Sequence, residues 1–441
     1  MTVTRRQLLG ASGAAVGLHV LAPVVVRAGA AFGQTGPNPS TRTRNRLVVV
    51  FLEGGNDGLN MVVPRGDVRG EPRYSVYRKV RPAIGYQPDE LLPLDRPADR
   101  PHLMGLNPAL PTLHKLYRSG RVAVVQGVDY PDHNYSHFTS SDIWQSGEPG
   151  MAQRSGWLGR HLDRAGIGEG ELRGVGIGNA LPLILRGNKR QGIGIASIGA
   201  TLFSDGTGAA VDPAHEAFAA FGRHPIAEPL RHYAGRQAAV TVDVVDTLAR
   251  APRPPKTGVR VADALLTARV MLEQDLGAEV LFLATSGFDT HSGQRQLQER
   301  LFRDLDAGLQ AFYDGSVNGT PTGLGALRAE VRDRTIIMVV SEFGRRIGEN
   351  GVGQGAGTDH GAAAPVLLIG PAGAGGTRHR LVGGLHGDHP PMGTVAAPAD
   401  NLMMTTDLRR VYQSVLEAWL SSSDPYFERR QKPLPGLFTT A

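Results

Sequence analysis

Five short segments concentrate the residue types that hold metals or move protons. "EGGNDGLN" carries Glu53, Asn56 and Asp57, and "TSGFDTHSGQ" carries Asp289 and His291. "SEFGRR" carries Glu342 and Arg345, and "GTDHG" carries Asp359 and His360. The fifth, "DYPDHNYSHFTSSD", holds Asp132, His133, Ser136, His137, Thr139 and Ser140. Carboxylates gathered at one place repel each other unless a cation holds them. Borderline divalent metals, zinc among them, suit mixed imidazole and carboxylate ligands. The chain has no cysteine, which excludes thiolate ligands, thiolate nucleophiles and disulfides.

The elements that must position these segments are apolar strands. Leu47–Leu52, Val122–Gln126, Glu279–Ala284, Thr335–Val340 and Pro365–Ile369 are continuously apolar rather than alternating, as expected of parallel strands covered on both faces. Helix-like segments lie at Pro108–Ser119, Ser155–Ala165, Ala227–Arg250, Arg260–Leu276, Gly293–Tyr313 and Thr406–Leu420. In the last of these Thr406 or Asp407 caps a face of Leu408, Val411, Val415, Leu416 and Trp419. Strands alternating with helices predict an α/β fold whose central sheet is mainly parallel and flanked by helices on both faces. In such sheets ligands bind beyond the carboxyl ends of the strands. The acidic segments following the first, third and fourth runs fall there.

The chain of 441 residues is long enough for a large core, and its 41% hydrophobic and 20% charged residues are ordinary globular composition. Its net charge of +6 comes from scattered basic residues interleaved with acids, with no basic block beside aromatic residues, so nucleic acid is not the expected partner. Residues 1–30 read as a twin-arginine signal: Arg5-Arg6, then Leu8-Leu9, a mildly apolar run to Val26, and the small-x-small pattern Ala28-Gly29-Ala30. The expected location is therefore periplasmic or secreted, without a stable membrane span after cleavage. Residues 31–45 read as a linker, 46–425 as a single domain and 426–441 as a C-terminal tail. The Gly-rich, weakly patterned stretch 166–258 reads as an insertion or cap-like subregion of that domain.

The order of these segments resembles the alkaline phosphatase and sulfatase superfamily. "LEGGNDGLN", "NYSHFTSSD", "GFDTHSGQ", "VVSEFGR", "TDHGAAAPVLLIG" and "TTDLRRVYQSVL" follow one another as that family's motifs do, over about residues 46–420 and thinly across 166–258. Behind a twin-arginine signal, the set is similar to an exported bacterial branch called domain of unknown function 1501. The resemblance implies an alkaline phosphatase-like fold and a divalent metal, with zinc as a candidate. It implies metal ligands at Asp289, His291 and His360, with Glu342 and Asp57 as further ligands and Glu53 as substitute for Asp57. Phe343 stands where the superfamily places a histidine, so a second zinc site is only partly represented. Ser136 or Thr139 falls in the nucleophile region, and His137 is either a general acid/base or a ligand. No Cys-x-Pro-x-Arg signature occurs, so the formylglycine sulfatase route is absent.

Two functions fit these residues. One is a metal-dependent hydrolase of an anionic ester, phosphate or sulfate, in which Arg345 neutralises the substrate's charge. The other is a catalytically degenerate, exported binding or assembly protein that keeps the fold and meets a protein partner. Within "GTDHG", His360 is the expected ligand, and Asp359 is a loop former or the partner that orients its imidazole.

Overall fold

The apolar runs become neighbours in one sheet. In the computed structural model the residues described are 44–68, 70–95, 103–150, 154–164, 173–178, 180–189, 191–195, 216–217, 220, 248–371, 379–393, 400–422, 427 and 431–440. The main sheet contains β1 (Arg46–Glu53), β2 (Val122–Asp129), β3 (Gly174–Ile177), β4 (Ile193–Ile195), β5 (Val280–Ser286), β6 (Thr335–Ser341), β7 (Ala364–Ile369), β8 (Gly384–His386) and β9 (Thr406–Asp407). Their order is β8-β2-β7-β6-β1-β5-β3-β4, with β9 continuing beside β2. The fold is α/β, with a mixed sheet that is mostly parallel.

Helices cover both faces, which explains the unbroken apolar runs. Val48, Val50 and Leu52 of β1 pack toward α1 (Pro111–Arg118), α4 (Arg260–Glu273) and α5 (Gln294–Asp314). Leu47, Val49 and Phe51 pack toward α2 (His137–Ser146), α3 (Trp157–Arg164) and α6 (Leu408–Ser414). Each fully buried Val or Leu is worth about 1.5–3 kcal/mol relative to leaving it exposed, so β1 is anchored from both sides. Asp407 caps α6 by accepting from Arg409 N at 2.9 Å, and the helix continues as a π-helical turn, Val415–Trp419.

Three features depart from the sequence reading. β7 was expected to be parallel, yet it pairs antiparallel with both β6 and β2. A continuous apolar run reports burial on both faces and carries no information on direction. Direction is set by the connection: residues between β6 and β7 fold back on themselves through bridges Arg345↔His360 and Asn350↔Gly357, with no crossover helix. Second, the start of the Gly-rich stretch joins the sheet, because β3 and β4 pair parallel to β5 and to each other. "GVGI" and "IGI" are too short and glycine-interrupted to stand out as apolar runs. Third, residues near the C-terminus are built in: Leu437 is fully buried, and Phe438–Thr440 pairs antiparallel with His379–Leu381. The signal segment, most of the linker and most of the Ala227–Arg250 helix lie outside the described residues. Among the described residues no helix is long and apolar enough to cross a membrane.

Candidate metal centre

Adjacent strand ends deliver the chemistry. β1 lies between β6 and β5 in parallel register, with Leu52 beside Ser341 and Glu53 beside Ser286. The segments beginning at Gly54, Gly287 and Glu342 therefore leave the sheet side by side. Gly54 has φ +117°, and a Cβ there would meet Asp289 N at 2.3 Å. Gly55, at φ +74°, lies so close to Phe343 that a Cβ would meet its ring at 2.2 Å. Glycine at both positions lets the turn after β1 touch the other two loops. α2 begins at the same edge, capped by Ser136, whose hydroxyl accepts from Thr139 N at 3.5 Å, and its first residue is His137. Because β7 runs antiparallel, the residue that precedes it in the chain, His360, arrives at this edge too.

Three imidazoles surround Asp289. His360 Nε2 lies 3.2 Å from Asp289 Oδ1, His291 Nε2 3.0 Å from the same oxygen, and His137 Nε2 3.6 Å from Oδ2. His291 Nε2 and His360 Nε2 are 3.0 Å apart. One ligand atom from each of His137, Asp289 and His360 can be chosen so that all lie within 4.8 Å of one another. Phe343, fully buried, packs behind His137 and His360 with ring centroids 4.8 and 4.7 Å away.

The far nitrogens settle which way these rings present themselves. His137 Nδ1 is 2.8 Å from Glu342 Oε1, His291 Nδ1 is 3.3 Å from Asp359 Oδ1, and His360 Nδ1 is 2.9 Å from the Tyr135 carbonyl. Each of those oxygens accepts, so each Nδ1 carries a proton, and in the neutral form of the ring Nε2 is the nitrogen left to ligate. The three Nε2 atoms thus converge on one carboxylate. His137 Nε2 is buried and has no hydrogen-bond partner among the described residues. Burial lowers the His360 pKa, and the charge of Arg345 lowers it further against the bonds from Asp289 and Tyr135. The ring therefore favours its neutral, ligating form. Ligand atoms on a tetrahedral zinc, each about 2.1 Å from the ion, lie about 3.4 Å from one another. The observed 3.0, 3.2 and 3.6 Å separations bracket that spacing. Donor chemistry and spacing fit a divalent ion held by His137, Asp289 and His360, while His291 lies against Asp289 and His360 but outside the set whose ligand atoms are all within 4.8 Å of one another.

The other residues singled out from the sequence sit around this set. Glu342, 2% exposed, accepts from Gly54 N at 2.7 Å as well as from His137, so it orients an imidazole. Arg345 is 1% exposed, and its guanidinium donates to the carbonyls of Gly54, Gly55, Phe288 and Thr358 and, at 2.7 Å, to Asp289. Every donor direction points inward, so Arg345 staples three loops together and does not face a substrate. Burial by itself would raise the Asp289 pKa, but Arg345, with help from His360 and His291, holds it below the ordinary carboxylate value. Asp57 is placed away from the cluster, in a fully buried pair with Arg81: Arg81 Nη1 donates to Oδ2 at 2.6 Å and Nη2 to Oδ1 at 3.1 Å. Gln294 and Leu59 N occupy its remaining lone pairs. Glu53 stands at the end of β1 beside Glu342, and burial together with the charge of Glu342 raises its pKa.

A family model described as "Protein of unknown function (DUF1501)" matches residues 123–408. The chain belongs to the DUF1501 family. No curated protein matches it. The DUF1501 match takes in His137, Asp289, His291, Glu342, Arg345 and His360, and it begins after Glu53 and Asp57.

An open cleft of about 570 Å³ adjoins the DUF1501 chain's centre, lined by residues that include Tyr135, His291, Arg346, Asn350, Asp359 and His360. Arg346 was not singled out from the sequence. The signal was the doublet Arg345-Arg346 in a segment bridged to His360: in extended backbone, consecutive side chains point opposite ways.

Proposed function

We propose that this chain is an exported, metal-dependent hydrolase of an anionic ester, phosphate or sulfate, on an alkaline phosphatase-like frame. The observation that supports the reading is the convergence of three imidazole Nε2 atoms on Asp289, each ring fixed by an oxygen acceptor at its Nδ1. His291 Nε2 and His360 Nε2, 3.0 Å apart, must have a proton or a cation between them. A divalent ion bound there would polarise an ester oxygen and make a water or hydroxyl more acidic. The chain's own residues supply the rest. Glu342, Asp359 and the Tyr135 carbonyl hold the rings, Arg345 keeps Asp289 ionised and in place, and the adjoining cleft admits the ester. The Arg5-Arg6 leader supports export through the twin-arginine route, which would carry the protein folded and loaded.

The reading is tested by metal analysis of the purified protein together with hydrolysis of nitrophenyl phosphate and nitrophenyl sulfate, in wild type, His291→Ala and His360→Ala. Stoichiometric metal and turnover that both variants abolish are expected. Absence of bound metal refutes the centre. Metal without turnover of either ester makes the chain a binding or assembly protein that keeps the fold.

A further inference from the structure

A metal centre here needs two loops held at a fixed distance, one carrying Asp289 and the other carrying His360. Backbone bonds align the loops away from the ligands: Gly293 N donates to Gly355 O at 3.2 Å, and Gln294 N donates to Ala356 O at 3.0 Å. The backbone bond nearest the ligands runs from Thr358 N to Thr290 O, at 3.2 Å. Thr290 follows Asp289 directly, and Thr358 stands two residues before His360.

One side chain joins these two threonines. Gln294 and Thr358 are fully buried, and Thr290 is 1% exposed. Thr290 Oγ1 donates to Gln294 Oε1 at 3.1 Å, and Thr358 Oγ1 donates to the same oxygen. At the other end of the amide, Nε2 donates to Asp57 Oδ2. Both oxygens of Asp57 accept from Arg81, so the NH2 faces Asp57 and the carbonyl faces the two hydroxyls. Gln294 is also the first residue of α5, a 21-residue helix whose Phe302, Leu305 and Leu309 lie in the core. The amide is thus fixed in orientation and mounted on a rigid element. His137 arrives on α2 and stands outside this network.

We propose that Gln294 is a positioning residue whose carbonyl clasps Thr290 and Thr358 and thereby sets the 3.2 Å separation of Asp289 and His360, an inference that rests on the metal reading above. Ligands must be held to within about 0.5 Å of their productive geometry, which a bare loop does not achieve. Partners that fix ligands without touching the metal change its affinity by about 10- to 100-fold.

The experiment compares wild type with Thr358→Val and Thr290→Val, which keep the shape and remove a hydroxyl, and with Thr358→Ser, which keeps the hydroxyl. Zinc affinity is titrated against a chromophoric chelator, the visible spectrum of the cobalt(II)-loaded protein reports ligand geometry, and melting of the metal-free protein reports stability. Each valine variant is expected to bind zinc about 10-fold more weakly and to shift the cobalt spectrum, and Thr358→Ser to recover most of both. A lowered melting temperature with unchanged zinc affinity and cobalt spectrum makes the threonines structural only and overturns the proposal. A loss in Thr358→Ser equal to that in Thr358→Val overturns it too. Thr290→Val carries the comparison where Thr358→Val does not fold. If wild type binds neither ion, the metal reading has failed, and crystal structures of metal-free wild type and variants decide the positioning role. A longer Asp289 Oδ1 to His360 Nε2 distance in the valine variants supports it, and an unchanged distance overturns it.

Discussion

Glu342→Gln isolates the charge behind His137 with little disturbance of shape. Glu342 Oε1 accepts from Gly54 N at 2.7 Å and from His137 Nδ1 at 2.8 Å, and a glutamine carbonyl can accept both. Oε2 sits 3.1 Å from Ser341 Oγ, whose hydroxyl also lies 2.6 Å from the Leu52 carbonyl. The glutamine NH2 can donate to Ser341 Oγ while that hydroxyl donates to Leu52, so no buried polar group is left unpaired. What disappears is a negative charge at a site only 2% exposed, where solvent screening is weak. That charge makes the His137 Nε2 lone pair more basic. Loss of such an orienting carboxylate costs about 10- to 100-fold in metal affinity, or about 1.4–2.7 kcal/mol. The assay is zinc titration against a chromophoric chelator at near-neutral pH, with thermal melting of the metal-free proteins as control. Glu53 gives an independent readout: with its like-charged neighbour gone, its raised pKa should move back toward the ordinary carboxylate value. Unchanged zinc affinity refutes the orienting role. Complete loss of zinc binding refutes it in the other direction and marks Glu342 as a ligand.

Three further outcomes follow from the same contacts. Arg81→Met leaves Asp57 buried without its partner, so urea unfolding should show a loss of about 3–5 kcal/mol while the zinc affinity of the folded protein is unchanged; weakened zinc binding would return Asp57 to the ligand set. Gly54→Ala forces a side chain into φ +117° and against Asp289 N, so it should cost more than about 2 kcal/mol and weaken zinc binding as well, read by melting and titration. Folded His360 has a lowered pKa, so between that value and the ordinary imidazole value the unfolded chain binds more protons. The contribution of His360 to metal-free stability is therefore fully present above the ordinary value and is lost as pH falls through the folded pKa. His360→Gln should flatten that slope in unfolding measured across mildly acidic pH.

The sequence was legible where one physical signal decided the matter. Unbroken apolar runs located β1, β2, β5, β6 and β7 because burial on both faces demands them, and acids or histidines next to those runs located Asp289, His291 and His360. Two kinds of information were not local. Asp57 and Glu342 look alike as acids after apolar strands, yet each is defined by a residue far along the chain. Asp57 meets Arg81 across an interval of 24 residues, and Glu342 meets His137 across 205. Strand direction was equally hidden. Had β7 run parallel, His360 would have been left at the opposite edge of the sheet, away from Asp289. The hairpin Arg345–His360 reverses the strand, and the bridge that closes it sets Arg345 and His360 opposite each other. One reversal thus brings the last imidazole to the centre, turns Arg345 inward onto Asp289, and leaves Arg346 facing the cleft. The direction of β7 and the inward turn of Arg345 are consequences of the same loop, and a variant that shortened it should lose metal binding.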